Sequence, residues 1–132
     1  MQKKIKGVDV QKIVNDDENA LRSIIVDALQ EKKAVALNEL DFQSLLNHPL
    51  YDAFIICSAT SHTHAAALCD NVLRRVYERC GIEPSHYEGK EQSEWILIDY
   101  FSVVVHIFLA EKRLFYDLEG LWNDASVTHF EE

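Results

Sequence analysis

Apolar residues in this chain change period as it is read, from helical spacing to continuous or alternating runs and back. Ala20, Leu21, Ile24, Ile25, Ala28 and Leu29 recur at helical intervals and form one face of an amphipathic helix. Asp16–Glu18 stand where the positive end of its dipole favours carboxylates, and Lys32–Lys33 stand at the other end. The ordered domain therefore starts near Asp16 or Asp17. Ala34–Leu37 follows as a short strand, Asp41–Leu50 as a polar connection holding the breaker Asn47-His48-Pro49, and Tyr51–Ser58 as a buried strand built on Phe54, Ile55 and Ile56. Thr60 or Ser61 can cap the next helix. Its apolar side is Ala65, Leu68, Cys69, Val72, Leu73, Val76 and Cys80, its outer side is Arg74, Arg75, Glu78 and Arg79, and Gly81 with Ile82 and Pro84 stops it.

A turn region with Glu88-Gly89 leads into two β-rich runs, Glu94–Leu109. The last element, Glu111 to Trp122, reads as a helix with Leu114, Phe115, Leu118, Leu121 and Trp122 on one side, weakened locally by Gly120. Residues 1–15 are polar and aperiodic, an arm expected to be mobile or only partly helical, and 125–132 read as a frayed tail. The order α-β-β-α-(β)-β-β-α over residues 16–124 predicts one domain of α/β (α+β) class, a single mixed β-sheet flanked by helices.

The two β-rich runs meet at Phe101–Ser102. With those two residues as the turn, Tyr100 pairs with Val103, Asp99 with Val104, Ile98 with Val105, Leu97 with His106 and Trp95 with Phe108. Alternation then puts Ile96, Ile98, Tyr100, Val103, Val105 and Ile107 on a core face, and Trp95, Leu97, Asp99, Val104, His106 and Phe108 on the other. A face mixing Trp and Phe with Asp and His has the make-up of a protein–protein hot spot. A helix covering that face is the structural alternative, and the pattern alone does not choose between them. A Phe–Ser pair is poorly suited to the positive φ of a tight hairpin turn, and a register one residue away would bring Tyr100 rather than Asp99 onto the binding face.

At 132 residues the chain can bury a core without disulfide or metal staples. Its net charge of −9 is the wrong sign for holding phosphates, so no direct nucleic-acid specificity is expected, and a basic protein suits it better as partner. No apolar run approaches membrane-spanning length, and Met1-Gln-Lys-Lys-Ile-Lys-Gly lacks the apolar stretch of a signal peptide. Cys57, Cys69 and Cys80 are odd in number, and the latter two, about 16 Å apart along one helix, cannot bridge. A reduced, cytoplasmic chain with no membrane partner is expected.

No catalytic or metal set stands out. His62 and His64 point about 200° apart on a helix, with no Cys-x-x-Cys or His-x-x-x-His to join them. Ser58-Ala59-Thr60-Ser61 lacks the glycine and following lysine of a phosphate cradle. Cys57 sits in Phe-Ile-Ile-Cys, the setting of a packed rather than a reactive thiol. Nucleotidyl transfer would need strand carboxylates to hold metals, and only Glu39-x-Asp41 offers a pair, without a third acid beside it. No cofactor is implied.

Several stretches together resemble one family. Tyr51-Asp-Ala-Phe-Ile-Ile-Cys-Ser-Ala-Thr-Ser, Tyr87-Glu-Gly, Trp95-Ile-Leu-Ile-Asp-Tyr, Val103-Val-Val-His-Ile-Phe and Arg113-Leu-Phe-Tyr-Asp-Leu-Glu-Gly-Leu-Trp are similar to the ribosomal silencing factor (Iojap-like) family, in unbroken order over about residues 17–124. The resemblance implies a nucleotidyltransferase-like core stripped of its catalytic acids. It also implies a non-enzymatic function: binding the large ribosomal subunit through ribosomal protein L fourteen, blocking subunit association and repressing translation when nutrients are short, with a tendency to form a homodimer. The family's conserved surface falls on Trp95, Asp99, Tyr100 and His106, with Glu88 and Gly89 before them; the hairpin face adds Leu97 and Val104. The chain departs from the family at Phe101–Ser102, where Gly-Asp is usual, and at Ser58-Ala59, where Thr-Gly is common. A nucleotidyltransferase-type metal-dependent enzyme using Glu39 and Asp41 is the alternative.

Overall fold

The two strands with the densest apolar runs lie side by side in the middle of the sheet. The computed structural model describes residues 4–5, 8–45 and 49–131, with side chains from Asn19 onward. In chain order the elements are β1 (Lys4–Ile5), β2 (Val8–Asp9), α1 (Val10–Glu31), β3 (Val35–Asp41), β4 (Ala53–Ala59), α2 (His62–Cys80), β5 (His86–Glu88), β6 (Trp95–Asp99), β7 (Val103–Leu109), α3 (Ala110–Tyr116), α4 (Leu118–Leu121) and β8 (Ser126–His129). Among the described residues, β1 and β2 pair with each other, and six strands form one mixed sheet in the order β5-β6-β7-β4-β3-β8. β4 and β7 run parallel; the other neighbours in that sheet are antiparallel. Every residue of β4 and β7 is buried, as expected of strands covered on both faces.

α1 and α2 cover one face, where Ile25 and Leu29 of α1 and Leu68, Val72 and Val76 of α2 meet Ile55, Ile98, Val105 and Ile107 of the sheet. Ser61 caps α2, its Oγ accepting from the His64 amide at 3.0 Å, and Gly81 ends it at φ 67°. The helices are locked together by buried Asn71, whose Nδ2 donates to the Ala28 carbonyl at 2.8 Å while its Oδ1 accepts from Arg74. The opposite face packs Leu40, Phe42, Phe54, Ile56, Val104 and Phe108 beneath Leu118 and Trp122.

The hairpin register is the one alternation predicts, Trp95 opposite Phe108 through Asp99 opposite Val104. Phe101 does take a positive φ, 72°, with the Tyr100 amide bonded to the Val103 carbonyl at 2.9 Å. A left-handed phenylalanine costs on the order of 1 kcal/mol. The Asp99 carboxylate offsets part of this by accepting the Phe101 amide at 2.8 Å, so Asp99 serves the turn.

Four expectations change. α1 begins at Val10, ahead of Asp16. The C-terminal helix is broken at Asp117, which adopts φ 45° and caps α4 by accepting the Gly120 amide. The tail expected to fray over 125–132 instead buries Ala125 and, among the described residues, supplies β8 on the free edge of β3, from Ser126 opposite Asp41 to His129 opposite Asn38. β3 itself runs on to Asp41, with a register shift between Val35 and Asn38 around Ala36 at φ 49°. Asn47 and His48 of the expected breaker lie outside the described residues.

Candidate protein-docking surface

The second face of the hairpin is organised around Trp95. Its ring stacks on Phe108 with centroids 4.9 Å apart and meets Tyr116 of α3 at 4.7 Å. The indole Nε1 donates to His106 Nδ1 at 3.1 Å. That bond fixes the tautomer, so His106 carries its proton on Nε2, which is buried without a hydrogen-bond partner. His106 is 3 % exposed and lies edge-on to Phe54 at 4.6 Å. Burial pushes its pKa down to about 3, which keeps the ring neutral.

The eight residues expected at the site divide by depth. Trp95 and Leu97 are half-buried and reach the surface; Glu88 is exposed and Gly89 half-buried at the entry to β6. Asp99, Val104 and His106 lie on the same face but are buried. Asp99 accepts from the Tyr51 hydroxyl at 3.2 Å, and burial, with that carboxylate, pushes the Tyr51 phenol above its ordinary pKa. Tyr100 points the other way: it is 2 % exposed and packs with the core under α1 and α2, as alternation requires. Gly89 has a geometric task. At φ 89°, a Cβ there would fall 2.0 Å from the Trp95 carbonyl oxygen.

Sequence reasoning missed an exposed apolar surface on the C-terminal helices. Leu114 is 84 % exposed, Phe115 79 % and Leu121 73 %, although helical periodicity assigns all three to the core side. Phe115 stands edge-on to Tyr116 at 5.2 Å, so an unbroken aromatic ladder runs Phe115–Tyr116–Trp95–Phe108 from the surface inward. One signal was available. Apolar residues fill 114, 115, 116, 118, 121 and 122, a band wider than one buried stripe can use. Exposed carboxylates Glu88, Glu94, Glu111 and Asp117 flank this surface in the chain. Large apolar patches with a charged rim mark protein interaction sites.

The candidates for chemistry are otherwise engaged. Cys57 is fully buried and its thiol is pushed up to about 12. His64 Nδ1 accepts the Thr60 amide, so its Nε2 donates to the Lys32 carbonyl at 2.7 Å, while His62 bonds the Gln92 carbonyl. Asp41 is ion-paired with Arg22 at 3.1 Å. Burial raises the pKa of Glu39 against the pull of Arg22. Among the described residues, no group of three or more His, Cys, Asp or Glu side chains is placed to hold a metal ion, and no helix is long and apolar enough to cross a membrane.

Residues 15–132 match the family described as ribosomal silencing factor during starvation. This chain belongs to the ribosomal silencing factor family. A ribosomal silencing factor of Halalkalibacterium halodurans is 36 % identical over 84 % of this chain and 92 % of its own length. A solved structure from Chromobacterium violaceum superposes with a TM-score of 0.74 at 31 % identity, covering 80 % of this chain and 85 % of that one. A mouse protein named for mitochondrial assembly of the ribosomal large subunit is 38 % identical over 54 % of this chain and 32 % of its own. Membership places this chain in a family of ribosome-associated translation regulators. For such a protein the aromatic ladder, not the acids of β3, is the feature to explain.

Proposed function

We propose that this protein docks through Trp95, Leu97 and the exposed Phe115 end of the aromatic ladder onto ribosomal protein L fourteen of the large subunit. There it blocks subunit association and represses translation in the cytoplasm under nutrient limitation. The observation that carries the reading is the ladder itself, solvent-facing apolar side chains continuous with a rigidly stacked Trp95. Exposed aromatics beside a packed base are suited to hot-spot binding, because little side-chain entropy is lost on docking. The carboxylates alongside, and the net charge of −9, suit a basic ribosomal protein. Glu88 and Gly89 border the surface; Asp99, Val104 and His106 support it from beneath, while Tyr100 packs on the opposite face of the sheet.

Binding to isolated, purified L fourteen tests the assignment. The expected result is a complex whose association rate falls as salt screens the attraction, and which naked ribosomal RNA does not displace. RNA that competes as well as the protein partner would overturn the reading. Self-association, which the family resemblance also implies, is part of the proposal, and a protomer mass at every concentration in sedimentation equilibrium would remove it.

A further inference from the structure

α3 and α4 carry the exposed half of the docking surface, yet neither contains a fully buried residue. Helices this short do not hold themselves in water; Tyr116 on Trp95 and Leu118 on the sheet anchor one side of them, and a further contact must set their direction. The candidate is Arg113, whose side chain is 12 % exposed and turned beneath α3. Its Nε and Nη2 form a bidentate pair with Glu119 of α4 at 2.8 and 2.9 Å. Its Nη1 donates to the Ala36 carbonyl of β3 at 2.6 Å and to Ser58 Oγ of β4 at 3.0 Å. Asn38 extends the set, donating to Glu119 at 2.8 Å and accepting from His129 of β8 at 2.7 Å. One guanidinium thus joins four elements, α3, α4, β3 and β4, and Asn38 ties β8 to the set through Glu119.

The geometry points to Arg113 as the positioning residue of the docking surface, a clasp that sets the direction in which Leu114 and Phe115 face. The inference rests on the docking proposal for its consequence, but not for its geometry. On a helix each residue turns about 100°, so an inward Arg113 sends Phe115, two residues on, about 200° around and out to solvent. The register shift around Ala36 contributes: at φ 49° that residue sits where the β3–β4 pairing is interrupted, and its carbonyl meets the guanidinium. Only a planar fork can serve these acceptors at once; a lysine ammonium is a point charge on a flexible stem. The carboxyl of Glu119 responds, its pKa held down first by the Arg113 hydrogen bonds.

Two measurements on the full chain test this. In the free protein, Arg113→Met should speed amide hydrogen exchange in residues 110–122 at least tenfold, with α2 and β4 unchanged. Glu119→Ala should do the same more weakly, and Arg113→Lys should fall between wild type and Arg113→Met. Unchanged exchange in 110–122 overturns the clasp, as does loosening spread evenly over the molecule, and this holds whether or not the protein binds ribosomes. On purified large subunits, Arg113→Met and Phe115→Ala should each weaken binding about tenfold or more. The double variant should bind no more than about twofold weaker than Arg113→Met alone, because Phe115 can no longer be presented. Multiplicative losses would show that Arg113 acts independently of Phe115 and would overturn the positioning role; wild-type protein failing to bind would instead sink the docking proposal while leaving the exchange result to stand.

Discussion

Acid separates a His106 that belongs to the core from one that contacts a partner. In the folded protein burial lowers its pKa to about 3, whereas the unfolded chain protonates it near 6.5. Between those values the unfolded state binds more protons, so stability is intact above about pH 6.5 and falls as pH falls toward 3. The slope is about 1.4 kcal/mol for each pH unit. From pH 6.5 to 5 the loss attributable to His106 is about 2 kcal/mol, a large share of the roughly 5–15 kcal/mol that holds a domain together. Urea unfolding of wild type and His106→Gln at pH 7, 6 and 5 isolates it, because the carboxylates and the five other histidines are common to both. At pH 7 the variant is itself less stable, since a glutamine amide does not replace the imidazole ring packed against Phe54 and Trp95; that cost offsets the curves without tilting them. The wild type should lose about 2 kcal/mol more than the variant over this range. Parallel pH dependences would refute the burial argument and return His106 to the surface.

Phe115→Ala should leave urea stability within about 0.5 kcal/mol, as an exposed side chain does, while weakening large-subunit binding by about 2 kcal/mol, roughly 30-fold; a destabilised variant or unchanged affinity would count against the ladder. Trp95→Ala should lose about 2–3 kcal/mol of stability, because the ring lies between Phe108 and Tyr116, and so cannot by itself report on docking; wild-type unfolding would show the ring to be dispensable. Gly89→Ala should lower the unfolding midpoint by more than about 1 kcal/mol equivalent, since a Cβ there collides with the Trp95 backbone; neutral behaviour would mean the β5–β6 connection yields freely.

Taking Phe101–Ser102 as the turn made the hairpin readable, because the turn fixes the register and a slip of one would have exchanged its faces. It also placed Tyr100 correctly among the core residues, where family resemblance put it on the conserved surface. α2 was legible for a different reason: Ser61 and Gly81 mark its ends by their own conformations. β8 was not, since all four of its side chains are exposed and no apolar alternation betrays backbone pairing to β3. The docking surface was half legible. Trp95 and Leu97 follow from the hairpin, but Leu114, Phe115 and Leu121 imitate a core stripe, and what turns them outward is the break at Asp117 and the inward Arg113. Those depend on contacts with residues some 55 to 77 positions away, which local periodicity does not carry.

The central claim, that an acidic aromatic surface caps the large subunit against its partner, is tested most directly by light scattering from purified subunits joining in the presence of increasing protein. Joining should fall to a floor as the large subunits fill, and with subunits dilute relative to Kd, Phe115→Ala should need about 30-fold more protein for half the effect. Undiminished joining at saturating wild-type protein would contradict the account.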